Sequence, residues 1–218
     1  MHYLSLALYA EGPTDYRFLS PVLRRMCEDM CAAHVRGAVE VTEVWPLDHP
    51  EALRDAPREQ RILAAARMAQ GRWRLLFVHT DGDGDADRAR RERVDPALVL
   101  LGAEMSGAGV GVVPVRETES WMLADGDALR TVFDTTLDDR GLGLPPAGLI
   151  EREREPKQLL SRCFDRARPG ARGRRHSELD HLSRLGDEVN LAALRRLPSF
   201  RSLEADVHAA LVALGVIG

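Results

Sequence analysis

The stretch 73-WRLLFVHTDGDGDAD-87 decides the fold prediction, because a short apolar run ends abruptly in alternating aspartates and glycines. Residues 73–79 indicate a strand buried on both faces, which is typical of a parallel sheet covered by helices. Asp81 and Asp83 follow the carboxyl end of this strand. In open α/β sheets, ligands bind outside the carboxyl ends of the strands.

Three further strands extend this pattern along the chain, at 3–10, 38–45 and 109–115. Helices are predicted between them at 13–33, 58–69, 86–94 and 96–105. After residue 126 the strand signal disappears, and helices follow at 127–134, 156–167 and 200–215. We therefore expect an α/β, Rossmann-like core over 1–126 with a mostly parallel four-stranded sheet flanked by helices. A helical C-terminal extension over 127–218 should pack on this core.

The composition limits the class of protein. The 218 residues carry 30 basic and 34 acidic side chains, a net charge of −4, which excludes a protein that coats nucleic acid through bulk charge. Aromatic residues make up only 5% of the chain, too few for a stacking platform. Cys27 and Cys31 share an apolar helical stripe, which favours core packing over metal binding. The sequence has no run of about 18–20 apolar residues, so no membrane-spanning helix is expected. Three cysteines do not form a disulfide framework, so we expect the protein in a reducing cytoplasm.

Carboxylates follow three of the four predicted strands, so three strands should deliver acids to one edge of the sheet. Crowded carboxylates repel one another, and a divalent cation relieves that cost. Oxygen ligands favour Mg²⁺, Mn²⁺ or Ca²⁺ over zinc. Acids in turns or near helix N-termini are a simpler explanation for each residue taken singly. The acids are Glu11 after the first strand, Asp81, Asp83 and Asp85 after the third, and Glu117 and Glu119 after the fourth.

The aspartate run could alternatively be interpreted as a calcium-binding loop of the EF-hand type. From Asp81, acids fall at positions 1, 3, 5 and 7, and Glu92 stands at position 12. However, Ala86 occupies position 6, where such a loop needs glycine for its sharp turn. A strand also precedes the run, where an EF-hand has a helix.

Two motifs in this order resemble the Toprim domain, the metal-binding α/β module of topoisomerases, primases and some nucleases. They are EGPTD at 11–15 and HTDGDGD at 79–85, and the resemblance covers about residues 3–125. The stretches PVRETESWMLAD at 114–125 and EPK at 155–157 look like small stand-alone Toprim-like proteins grouped as domains of unknown function. These are similar to the nuclease domain of the OLD (overcoming lysogenisation defect) family. The chain lacks a topoisomerase tyrosine domain, a primase zinc module and a P-loop.

The resemblance implies a metal-dependent nuclease that cleaves DNA or RNA with one or two Mg²⁺ or Mn²⁺ ions, where Ca²⁺ could inhibit or serve as a structural ion. Glu11 matches the Toprim glutamate, and Asp81 and Asp83 match its paired aspartates. Such proteins are often associated with a separate ATPase in bacterial or phage-defence settings, and a homo-oligomer stays open. By position, the candidates for a second metal are Asp85, Glu117 and Glu119.

Lys157 is the only lysine, since 29 of the 30 basic residues are arginine. It should lie in the first turn of a helix that begins at Pro156, where the helix dipole disfavours a cation. A downstream lysine also belongs to the nuclease branch of the family that the chain resembles. We therefore predict a catalytic role for Lys157 beside Glu11, Asp81 and Asp83, with chance survival as the alternative.

An arginine-rich strip at 162–175 carries six arginines and one acid, a local charge of +5. It predicts contacts to nucleic-acid phosphates, although a solvated loop would look the same. The predicted phosphate-binding residues are Arg116, Arg168, Arg172, Arg174 and Arg175.

Besides the calcium loop, two other functions stay open. A glycosyltransferase also places an aspartate pair after a buried strand, to hold a metal-bound sugar nucleotide. A non-catalytic Toprim-like subunit could regulate an ATPase complex. His79, at the end of the third strand, is expected to be packed or hydrogen-bonded and not to act as a base.

Overall fold

The protein, seen in a computed structural model that describes residues 2–35, 37–169 and 175–218, is built on a four-stranded sheet. All strand pairings are parallel, in the order β2-β1-β3-β4. The α/β class and the parallel sheet predicted from the sequence are therefore confirmed. The strands are β1 His2–Tyr9, β2 Val39–Pro46, β3 Leu75–His79 and β4 Ala108–Val112.

Helices connect the strands and make up nearly all of the C-terminal part that the structure describes. Short 3₁₀ turns lie at Glu51–Leu53 and Ala147–Arg152. The helix over 175–188 was not predicted. The helices are α1 Pro13–His34, α2 Arg58–Met68, α3 Ala86–Arg93, α4 Asp95–Glu104, α5 Glu119–Met122, α6 Gly126–Phe133, α7 Asp139–Leu142, α8 Pro156–Ala167, α9 Arg175–Glu188, α10 Leu191–Leu194 and α11 Pro198–Ala213.

Both faces of the sheet are covered, as its apolar strands require. Alternate residues of β1 point to opposite faces, so Leu6 and Leu8 join one core while Ala7 and Tyr9 join the other. The larger core contains α1 and α11, and the smaller one contains α2 and α4. Burial on both faces explains why β3 is apolar along almost its whole length.

The C-terminal helices belong to the larger core and do not form a separate one. Phe133 of α6, Phe164 of α8 and Phe200 of α11 are buried in the same cluster as the strands. Helix α9 approaches α1 so closely that a Cβ at Gly186 would lie 2.5 Å from the Phe18 carbonyl oxygen. Residues 127–218 are therefore held against the sheet by continuous apolar packing where they are described.

The three cysteines are free and buried, and Cys27 and Cys31 lie in the larger core as predicted. Among the described residues, no helix combines the length and apolar character that a bilayer crossing needs.

Candidate functional site

The sheet order creates a crevice at the carboxyl ends of β1 and β3. The chain leaves β1 toward β2 on one side and returns to β3 on the other, which is the topological switch point where α/β sheets bind ligands. Glu11 and Asp81 lie at this point. Glu11 Oε1 accepts a hydrogen bond of 2.5 Å from the hydroxyl of Thr80, the residue just before Asp81. Two of the three acids that resemble Toprim residues are thus brought to adjoining positions.

Backbone contacts fix the aspartate loop against the segment that follows β4. The backbone N–H of Asp83 donates to the Arg116 carbonyl at 3.2 Å, and that of Gly84 donates to the Val115 carbonyl at 2.8 Å. A Cβ at Gly82 would lie 2.3 Å from the Pro114 carbonyl oxygen, so only glycine fits there. The acids after β3 and β4 therefore share one rigid edge.

Two of the acids at this edge are paired with arginines. Arg58 Nη2 lies 3.5 Å from Glu11 Oε1, and Arg93 Nη2 donates to Asp83 Oδ2 at 2.6 Å. Arg58 also donates to the His79 carbonyl at 2.6 Å, and burial lowers its pKa. We call Glu11 and Asp83 with their two arginines the arginine-paired side.

The carboxylates of three other acids have no arginine partner among the described residues, although Arg93 donates to the backbone carbonyl of Asp81 at 3.1 Å. We call these three acids the arginine-free side: Asp81, Glu117 and Glu119. Asp81 Oδ1 accepts a hydrogen bond of 3.2 Å from the Thr118 backbone N–H. The pKa of Glu119 is raised to about 7, mainly by burial and to a smaller extent by the negative charges of Glu117 and Asp81. The charge of Lys157 acts in the opposite direction. The arginine-free side is thus crowded with negative charge that the described part of the chain leaves largely uncompensated.

A buried polar network contacts Asp81 on the side that faces the protein interior. His79 is fully buried, with Nε2 at 3.0 Å from the Thr118 hydroxyl and 3.4 Å from Asp81 Oδ1. Asp15 Oδ1 accepts a hydrogen bond of 3.2 Å from the same hydroxyl, and burial raises the pKa of Asp15. His79 is therefore packed and hydrogen-bonded, as expected. Asp15 and Thr118 were not predicted as site residues, although they lie inside the EGPTD and PVRETESWMLAD motifs.

Lys157 reaches this edge from the helical extension. It lies in the first turn of α8, as predicted, and its backbone N–H donates to Glu117 Oε2 at 3.3 Å. Glu117 therefore compensates an unpaired N–H at the start of α8. Across 40 residues of sequence, this contact places the only lysine beside the arginine-free side.

Asp85 has a structural role as the N-cap of α3, because its side chain accepts a hydrogen bond from the Arg88 backbone N–H. An aspartate directly before a predicted helix is a sequence signal for an N-cap, so this role could have been predicted. Helix α3 also excludes the calcium-loop alternative. It begins at Ala86, in the middle of the stretch that would have to wrap around the ion.

The predicted phosphate-binding arginines are spread out. The Arg116 guanidinium lies close to Gly84, about 3.2 Å from where a Cβ would stand. Arg168 donates to the Phe133 carbonyl at 3.0 Å and lies at the other end of α8, about 16 Å from Lys157 by helical rise. Arg175 is the first residue of α9, while Arg172 and Arg174 lie outside the described residues. Arg168 of the strip therefore lies away from Lys157 and the acids beside it.

The donor chemistry suits a hard divalent ion, but the side chains do not enclose one as they stand. Within 2–35, 37–169 and 175–218, no three His, Cys, Asp or Glu side chains are grouped closely enough to hold a metal. The expected set of Glu11, Asp81 and Asp83 is not assembled, because Asp83 turns to Arg93. The crowded acids of the arginine-free side fit an ion better, since a cation would relieve the repulsion around Glu119.

Comparisons of the chain with protein-family models, with curated proteins and with solved structures find no match. The residues of the site are therefore the basis for a functional proposal.

Proposed function

We propose that this protein is a metal-dependent phosphodiesterase that cleaves nucleic acid, with its ion bound on the arginine-free side. The observation that carries the proposal is the set of acids around Glu119. Burial, together with the charges of the neighbouring acids, raises the pKa of Glu119, whose carboxyl accepts no hydrogen bond from another described residue. The only lysine of the sequence lies beside these acids. Acids and a lysine in this arrangement suit an ion and a phosphate together.

Asp81 and Glu119 would hold the ion, with Glu117 close by. A bound Mg²⁺ or Mn²⁺ supplies an activated water and stabilises charge on phosphoryl oxygens. Lys157 would bind a phosphoryl oxygen as a compact point charge. His79 and Thr118 would keep Asp81 oriented, since both contact it from the protein interior.

The Toprim resemblance supports the same proposal from the sequence. The EGPTD and HTDGDGD motifs supply Glu11 and Asp81, and these lie at the switch point of a parallel sheet. A separate ATPase partner and a cytoplasmic setting belong to this proposal as further parts of the resemblance.

Cleavage assays with matched variants test the proposal. The purified protein is incubated with single- and double-stranded DNA and with RNA, with Mg²⁺, with Mn²⁺ or with a chelator. We expect divalent-dependent cleavage that falls at least 100-fold in Asp81→Asn. Asp87→Asn is the control, because Asp87 belongs to the same aspartate run but is exposed on α3. Equal activity in both variants, or no cleavage with any substrate, would contradict the proposal.

A non-catalytic regulatory subunit is a second candidate, favoured by the arginine-paired side. Arg58 and Arg93 neutralise two of the three acids that resemble Toprim ligands, as would be expected where a metal had been lost. Such a subunit would bind no divalent ion and would cleave nothing even with its partner present. Metal titration of the isolated chain therefore separates the two candidates.

A further inference from the structure

A cavity of about 320 Å³ opens beside the arginine-free side, between α6, α8 and α9. Its walls are apolar and aromatic, formed by Phe133, Phe164, Leu182 and Leu185. The rings of Phe133 and Phe164 meet edge to face, with centroids 5.4 Å apart. This volume is near the lower end of the range for small-molecule sites, so it suits one flat group and not a chain segment.

The entrance of the cavity is polar and is shared with the proposed phosphate site. We assign Glu119, Lys157, Thr14 and Ser161 to it, because these lining residues are half-buried or exposed, whereas Phe133, Phe164 and Leu185 are buried. The cavity therefore begins at the two residues where we place the ion and the phosphate. A ligand that reaches from one to the other needs a charged end and a flat, mostly apolar end with polar edges.

We propose that this cavity receives one unpaired nucleobase of the substrate, the base attached to the phosphate that Lys157 contacts. This inference rests on the proposed function and names its substrate more closely. Aromatic walls stack on any base, while the hydroxyl and carboxyl groups at the entrance can bond to its polar edge. A purely aliphatic ligand would leave these entrance groups without partners.

A base can enter the cavity only after it has left its stack. A nucleotide inside a duplex would have to flip out, at a cost of a few kcal/mol. The cavity therefore predicts a preference for single strands, or for ends and loops, over continuous duplex.

Binding of two small probes tests the proposal without any cleavage. Adenosine monophosphate and ribose 5-phosphate carry the same phosphate and sugar and differ only in the base. By titration calorimetry with Mg²⁺, we expect adenosine monophosphate to bind about tenfold more tightly or better, because stacking one base contributes about 1–3 kcal/mol. Equal affinities for the two probes on the unaltered protein would overturn the proposal, and this comparison requires no variant.

A matched pair of variants tests whether the tighter binding of adenosine monophosphate depends on the cavity. Ser161→Trp should fill the entrance and bring the ratio of the two affinities to within about twofold of one. Arg162→Trp, at an exposed neighbouring position on the same helix that does not line the cavity, should keep the ratio. Retention of the ratio in Ser161→Trp would place the base elsewhere and overturn the proposal.

Oligonucleotides distinguish a base in a strand from a free nucleotide. A five-nucleotide single strand is compared with the same strand carrying one abasic position, which is moved along it. We expect the abasic site to weaken binding about tenfold at one position of the strand. If the abasic strands all bind as tightly as the complete strand, the cavity does not receive a base from a nucleic-acid strand. Cleavage that persists without any base-dependent affinity would remove this inference alone, whereas absent cleavage would remove the proposed function.

Discussion

The two sides of the carboxyl edge show how similar acids in one motif acquire different roles. On the arginine-paired side, Glu11 and Asp83 each contact a guanidinium from a helix that flanks the sheet. On the arginine-free side, backbone N–H groups, His79 and the charge of Lys157 act on the carboxylates of Asp81, Glu117 and Glu119. Arg93 reaches this side only at the backbone carbonyl of Asp81, among the described residues. The first side resembles a structural ion-pair network, and the second resembles a site prepared for a cation.

This difference indicates that position at a strand end is not sufficient to make a ligand. An acid with an arginine at hydrogen-bond distance is already neutralised, and a metal would have to displace that partner. A half-buried acid that is crowded by other acids, as Glu119 is, carries an electrostatic cost that a cation or a proton relieves. The paired acids should therefore affect stability first, and the unpaired acids should affect metal binding and pH dependence.

The largest stability effect is expected on the arginine-paired side, from Arg58→Ala. Arg58 donates to the carbonyls of His79 and Arg93 and pairs with Glu11, so its loss removes the donor to two carbonyls and the ion-pair partner of one carboxylate. We expect the free energy of unfolding to fall by about 2–4 kcal/mol, measured by urea denaturation. Arg54→Ala is the control, since Arg54 forms only an exposed pair with Glu51 and should change stability by less than about 0.5 kcal/mol. Similar effects of both variants would refute a structural role for the paired side.

A smaller, pH-dependent effect is expected on the arginine-free side. The pKa of Glu119 is raised from 4.5 to about 7 in the folded chain, so folding favours its protonated form. Its stabilising contribution is complete below about pH 4.5 and is lost as the pH rises through 7. Between pH 4.5 and 8, the unaltered protein should lose about 1–3 kcal/mol more stability than Glu119→Gln. Parallel pH profiles of the two proteins would show that Glu119 is not perturbed.

The smallest of these effects is expected for Asp85→Ala, which tests whether Asp85 is a cap or a ligand. Loss of the N-cap of α3 should lower the free energy of unfolding by about 1 kcal/mol. Metal affinity should not change, because the carboxylate already accepts from the Arg88 backbone N–H. Asp87→Ala, in the first turn of the same helix, provides the comparison. A loss of metal binding in Asp85→Ala would show instead that Asp85 is a metal ligand, together with the acids of the arginine-free side.

The sequence predicted the sheet because apolar runs of strand length are a local signal, and β3 is apolar on both faces. It also predicted that acids from β1, β3 and β4 would share an edge, which follows from parallel topology. It did not predict helix α9, which begins inside the Arg/Gly/Pro stretch RPGARGRRH that is typical of a loop.

The division of the acids into two sides could not be predicted from local sequence. Arg58 is 47 residues from Glu11 along the chain, and their pairing depends on how α2 packs against the sheet. The contact between Glu117 and the start of α8 depends in the same way on how the helical extension folds back. The position of Lys157 near the acids was expected only from the family resemblance.

Manganese binding measured by electron paramagnetic resonance tests the central claim most directly, since it reports the ion without requiring substrate or cleavage. Glu119→Gln removes a carboxylate from the arginine-free side, and Asp83→Asn removes one from the arginine-paired side. We predict that the unaltered protein binds Mn²⁺, that Glu119→Gln weakens binding at least tenfold, and that Asp83→Asn stays within about twofold. Binding that survives Glu119→Gln and disappears in Asp83→Asn would contradict the account, as would a chain that binds no Mn²⁺.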